Sequence, residues 1–155
     1  MDEYANYVVQ FIIATDYLEE HRREIIQKVI LTNVLKFSQA RFASHVLEKS
    51  LIFASPKCLF AIIEEIFVTS NANNCRDTLN VMLFDQFGNY VIQRLLEILI
   101  EVKNGNRPGD PIWFDLLAKR LIENEQHLFK YSSGKKIIEV LEVEIGPFSE
   151  NENHH

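Results

Sequence analysis

The sequence predicts an all-α protein, an α-solenoid built from stacked three-helix repeats, as a fragment of a curved superhelix. Three observations carry that expectation. First, YANYVVQ (4–10), FASHVLE (42–48) and FGNYVIQ (87–93) match position by position: aromatic, small, Asn or Ser, ring, Val, aliphatic, Gln or Glu. Second, each copy is followed by another amphipathic run, REIIQKVIL (23–31), LFAIIEEIF (59–67) and WFDLLAKRLI (113–122). Third, turn formers separate the units, and self-similarity at a long period is the signature of a repeat array.

The elements follow in chain order. The third motif positions are Asn6, Ser44 and Asn89, so the intervals are 38 and 45 residues. Such an uneven period implies insertions. TSNANNCRDT (69–78) supplies one and KNGNRPGDP (103–111), with two glycines and two prolines, supplies the other. Pro56 and Pro111 stand near the starts of the second and third packing runs, where proline is tolerated because the first helical N–H has no partner. Short apolar pieces, NVLKF (33–37) and LNVMLF (79–84), precede the second and third motifs. Each unit is therefore a short helix, a motif helix and a packing helix. The expected division is a partial repeat at 1–32, repeats at 33–70 and 71–123, a cap at 124–146 and a tail at 147–155.

The cap is a degenerate fourth copy. SGKKIIE (133–139), preceded by HLFKY (127–131), keeps the small residue but places Lys135, Lys136 and Glu139 at the polar positions. A terminal repeat covers the previous core and ends the stack. The first motif begins at residue 4 without a short helix before it, and repeats bury their apolar faces only by stacking. The expectation is the C-terminal part of a longer array.

Net charge is −6, which by itself argues against a nucleic-acid partner, since phosphate contacts dominate such affinity. The charge is uneven, however. Four glutamates between Glu142 and Glu152 supply −4 of it, whereas residues 39–50, with Arg41, Glu48 and Lys49, balance at +1. No stretch approaches the about 18 uninterrupted apolar residues of a membrane span, and no signal peptide is visible. Cys58 and Cys75 have no companion pair, so neither zinc nor a disulfide framework is suggested. The compartment read from this usage is reducing and cytoplasmic. Catalysis finds little support: His21, His127, His154 and His155 lack partners suggesting a triad or metal site, and no phosphate-cradling glycine loop is present. No cofactor and no small-molecule substrate are implied.

The motif helix carries the functional signal. Asn89, Gln93, Glu97 and Glu101 recur every four residues as one polar stripe, with Tyr90 and Arg94 along its edge and apolar residues elsewhere. A merely solvated stripe should vary freely and favour Lys and Glu. Instead the same sites hold Asn6/Gln10, Ser44/Glu48 and Asn89/Gln93, with Tyr7, His45 and Tyr90 between them. Stacked helices lie roughly 8–10 Å apart. A base sandwiched between two rings occupies about 7 Å, twice the ~3.4 Å base rise. One base per unit is geometrically reasonable.

FGNYVIQ, FASHVLE and YANYVVQ resemble the RNA-binding helices of the Pumilio (PUF) family, and SGKKIIEVLE is similar to that family's C-terminal half-repeat. The order of residue types resembles repeats six to eight of the usual eight. The resemblance implies base-edge contacts by Asn6, Gln10, Ser44, Glu48, Asn89 and Gln93, and stacking by Tyr7, His45 and Tyr90. An amide offers a donor and an acceptor, matching uracil; a carboxylate only accepts, matching the donor edge of guanine. RNA runs antiparallel to the protein in this family, so the implied word is 5′-UGU-3′ in single-stranded mRNA 3′ untranslated regions, with repression or decay as the outcome. His45 departs from the asparagine common at that site, but a ring should stack at least as well. Arg41, Lys49 and Arg94 flank the motifs as phosphate contacts. The loop at 69–78, with Thr69, Ser70, Asn71, Asn73, Asn74 and Cys75, matches a position where relatives dock regulatory proteins. The competing expectation is an α-helical protein-binding scaffold without sequence-specific RNA recognition.

Overall fold

The computed structural model describes residues 2–15, 18–67 and 77–147. The expected partner loop, Thr69–Cys75, and most of the acidic tail lie outside these residues. Every regular element among the described residues is helical. The elements are α1 (Glu3–Ala14), α2 (Glu19–Ile25) running into a π-helical turn (Ile26–Ile30), α3 (Val34–Ser38), α4 (Ala43–Phe53), α5 (Pro56–Phe67), α6 (Thr78–Phe84), α7 (Gly88–Lys103), α8 (Ile112–Glu123), α9 (Glu125–Leu128) and α10 (Ser132–Ile145). None is long and apolar enough to cross a membrane. The fold is thus all-α, of the expected repeat type, with the motif copies on α1, α4 and α7. Compactness divides the chain at residues 98 and 99, inside α7.

Local chemistry sets the helix starts. Asp2 caps α1, its Oδ1 accepting the Ala5 N–H at 2.7 Å. Pro56 is the first residue of α5, and Ser55 Oγ accepts the Cys58 N–H at 3.3 Å. Asp85 Oδ2 accepts the N–H groups of Phe87 and Gly88 at 2.9 and 2.8 Å, turning the chain from α6 into α7. Each bond satisfies a donor that the first turn leaves open.

In the first unit α1 packs on α2 and α4, and α3 packs on α4, α5 and α6. The core between them is aliphatic: Ile13, Ile26, Val46, Leu51, Ile62 and Met82 have no exposed surface. In the second unit Leu117, Leu121, Ile137 and Leu141 play that part. Lys103 there pairs with Glu144 at 3.1 Å and lies 4.7 Å above the Phe114 ring, which anchors the start of the 103–111 insertion.

The small residue of the third motif and of the cap has a steric cause. A Cβ on Gly88 would lie 2.7 Å from the Met82 carbonyl oxygen of α6, and one on Gly134 would collide with the Leu128 carbonyl of α9. The motif helix therefore rests directly on the backbone of its short helix. Ala43, buried at the same motif position, is the smallest residue that keeps a side chain.

One run differs from the continuous helix expected over 23–31. Its second half widens into the π turn, where Leu31 N–H bonds Ile26 O at 2.9 Å. The chain then turns through Thr32 at φ 71°, a left-handed conformation unusual for a threonine. Glu65 of α5 holds it, its two carboxylate oxygens accepting the N–H groups of Thr32 (2.8 Å) and Val34 (3.2 Å).

Candidate nucleic-acid interface

The helical period places the three polar positions of each motif along one edge. In α7, Val91, Ile92, Leu95, Leu96 and Leu99 are buried, whereas Tyr90, Glu97 and Glu101 are exposed. That division is the one the apolar pattern implied.

Within each motif the three positions sit at different depths. The first is buried: Asn6 is 2% exposed, Ser44 4% and Asn89 5%. The ring stands out, with Tyr7 60% and Tyr90 56% exposed and the His45 side chain 57% exposed. The last is half-buried: Gln10, Glu48 and Gln93 lie between the other two. The motif is therefore a ledge with an exposed plate beside it.

The buried residues orient their neighbours. Gln10 Nε2 donates to Asn6 Oδ1 at 2.8 Å, and Gln93 Nε2 donates to Asn89 Oδ1 at 3.1 Å. Asn89 Nδ2 in turn donates to the carbonyls of Asp85 (2.8 Å) and Gln86 (3.0 Å). The Asn89 amide is thus locked at the foot of α7, and Gln93 is left with one N–H and its carbonyl. That remainder is a donor and an acceptor side by side. Ser44 Oγ donates to the Arg41 carbonyl at 3.0 Å, so the middle motif holds its first residue the same way.

Glu48 has a different setting. Its Oε2 is 3.6 Å from His45 Nδ1 and its Oε1 is 3.7 Å from Arg94 Nε, and its side chain is 19% exposed. Burial pushes the carboxyl above its ordinary value, and the positive charge of Arg94, joined by His45 when that ring is protonated, pulls against that shift. Both separations exceed a direct hydrogen bond. The carboxylate is held mainly by charge, with Arg94 facing Oε1 and His45 facing Oε2 at separations that leave room for a further donor.

Of the flanking cations, Arg41 is exposed and lies 5.4 Å over the Phe42 ring, and Lys49 is half-buried. Arg94 is instead turned onto Glu48 and onto Glu97, whose Oε2 takes its Nη1 at 2.9 Å. No local pattern signals the reach of Arg94 across to Glu48, because the two lie on different motif helices, α7 and α4. Among the described residues no group of three or more His, Cys, Asp or Glu could hold a metal ion.

These features define a class: a helical repeat protein whose motif helices each present an exposed ring beside a seated polar group. The family profile described as the Pumilio-family RNA binding repeat matches residues 1–30, 33–67 and 84–99, and the chain belongs to the Pumilio family. It is 38% identical over 153 residues to Pumilio domain-containing protein 5 of Caenorhabditis elegans, an alignment taking in 91% of this chain and 28% of that protein. It is 37% identical over 152 residues to Fem-3 mRNA-binding factor 1 of the same organism, with 90% and 25% covered. A crystal structure of PUF-6 in complex with RNA matches at a TM-score of 0.81 and 37% identity, over 90% of this chain and 40% of that one. The chain spans about a quarter of the length of the two relatives.

Proposed function

We propose that this chain binds single-stranded RNA by sequence, one base per repeat, and reads 5′-UGU-3′. The observation that carries the reading is the shared geometry of the first and third motifs. In each, a glutamine is aimed by a buried asparagine beside an exposed tyrosine, and the middle motif replaces that pair with Ser44 and Glu48. Gln10 and Gln93 are the accessible arms that meet a uracil edge, with Asn6 and Asn89 as the floor. Glu48 accepts the two donors of a guanine, and Tyr7, His45 and Tyr90 stack on the bases. The family membership and the RNA named in the PUF-6 structure and in the Fem-3 factor support the same partner. Messenger RNA 3′ untranslated regions in the cytoplasm are the proposed site of action, with repression or decay as the consequence. The repeat division at 33, 71 and 124 belongs to this proposal.

Magnitudes bound the affinity. Each base-edge pair contributes roughly 1–3 kcal/mol of discrimination and each stack about 1–3 kcal/mol. Three bases then give roughly 6–18 kcal/mol gross, against an association cost of ~4–15 kcal/mol. Binding by this chain alone is expected to be weak and its selectivity measurable. A mobility-shift titration of the 155-residue chain with a UGU-containing RNA and with a core-mutated RNA tests the proposal. Equal binding to both would leave the protein-binding scaffold as the better account.

A further inference from the structure

We infer that Arg94 is a specificity-determining positioning residue for the neighbouring repeat: it sets the Glu48 carboxylate for the base read by the middle motif. This inference rests on the base-reading function proposed above. Arg94 projects from α7, yet its Nε lies 3.7 Å from Glu48 Oε1 on α4, while its Nη1 is fixed by Glu97 at 2.9 Å. The guanidinium is therefore clamped on its own helix and aimed at the other. Its Nε is buried and faces only one Glu48 oxygen, at a separation longer than an ordinary hydrogen bond, so Arg94 acts on Glu48 first by charge and only secondarily as a donor.

That distinction matters chemically. A direct Arg–carboxylate fork would occupy the oxygens that a guanine needs. At 3.7 Å the charge is stabilised while room remains for a further donor. Burial works the other way, pushing the Glu48 carboxyl toward its protonated form, and Glu97 pushes in the same direction; Arg94 and His45 oppose them. A protonated carboxyl offers one O–H donor and one acceptor, the pattern of an amide. Without Arg94, the middle motif would drift from a guanine pattern toward a uracil pattern.

The phosphate role expected for Arg94 makes a different demand. A phosphate contact would strengthen every RNA equally and steepen the salt dependence by about one. Two carboxylates already hold the guanidinium instead.

The test compares the wild-type chain, Arg94→Gln and Arg94→Lys by fluorescence anisotropy with two RNAs, one carrying 5′-UGU-3′ and one 5′-UUU-3′. Arg94→Gln is expected to reduce the UGU-over-UUU ratio about fivefold or more, the scale of one discriminating contact. Arg94→Lys should keep most of the ratio, because the charge remains. The preference should also fail at a higher pH in Arg94→Gln than in wild type, since the opposing charge is gone. An unchanged ratio in Arg94→Gln, or equal weakening of both RNAs with a shallower salt slope, overturns the inference while the base-reading function stands. A wild-type ratio of one overturns that function itself. Thermal melting of each variant confirms that the fold persists.

Discussion

Gln93 donates to Asn89 at 3.1 Å, and Asn89 in turn donates to two backbone carbonyls at the foot of the same helix. The asparagine is thus as much a part of the fold as of the surface. Asn89→Ala removes three hydrogen bonds at a buried position, each contributing about 0.5–1.5 kcal/mol. Chemical denaturation should show a loss of about 1.5–4.5 kcal/mol together with weaker RNA binding. A variant of wild-type stability would mean that the asparagine bonds are dispensable.

Tyr90, one residue along, should behave in the opposite way. More than half of its surface is exposed, so Tyr90→Ala should leave the melting temperature nearly unchanged. Its loss should weaken RNA binding by about 1–3 kcal/mol, the range for one stacked base. A large fall in melting temperature would place the ring in the core.

Gly88 tests the seat of the motif helix. A methyl group there meets the Met82 carbonyl oxygen at 2.7 Å and the Met82 Cα at 2.9 Å, and these backbone atoms leave little room to yield. Gly88→Ala should destabilise the chain by about 1–3 kcal/mol, the usual cost of overpacking, despite the better helix propensity of alanine. Calorimetry showing a stabilised variant would disprove the close approach.

Glu48 links function to a stability cost. Its carboxyl lies above the ordinary value because burial disfavours the charge, with Arg94 and His45 only partly compensating. The folded chain therefore holds this proton more tightly than the unfolded chain. Stability from this group is lost as pH rises from the ordinary carboxylate value through the raised one, and the full cost is present above it. Glu48→Gln removes the titration. The melting temperature of the variant relative to wild type should increase with rising pH across that window and then level off. A gap that narrows as pH rises would contradict the burial argument.

Much of this was legible in the sequence. Three echoes of one heptapeptide gave the repeats, and the positions of Val91, Ile92 and Leu95 told which face of α7 is buried. The small residue was visible as a pattern, but its cause at Gly88 and Gly134, the carbonyl of the preceding short helix, is a contact in space that no local pattern shows. The depth of Asn6, Ser44 and Asn89 was hidden as well, because polar residue types at helical spacing do not reveal that their side chains turn inward. Nor could periodicity announce Arg94 beside Glu48, or Glu65 holding Thr32 and Val34. Those contacts join residues far apart in the chain, where no local rule applies. The π turn after α2 falls in the same class, since its isoleucines fit an ordinary helix equally well.

The most direct test of the account exchanges one letter of the reading. Ser44→Asn with Glu48→Gln gives the middle motif the polar pair of its neighbours, with His45 left in place. Affinities of the wild-type and doubly substituted chains are measured for RNAs carrying 5′-UGU-3′ and 5′-UUU-3′. The account predicts that the preference reverses from guanine to uracil at the middle base, by on the order of 10-fold or more. A doubly substituted chain that folds and still prefers UGU would contradict it.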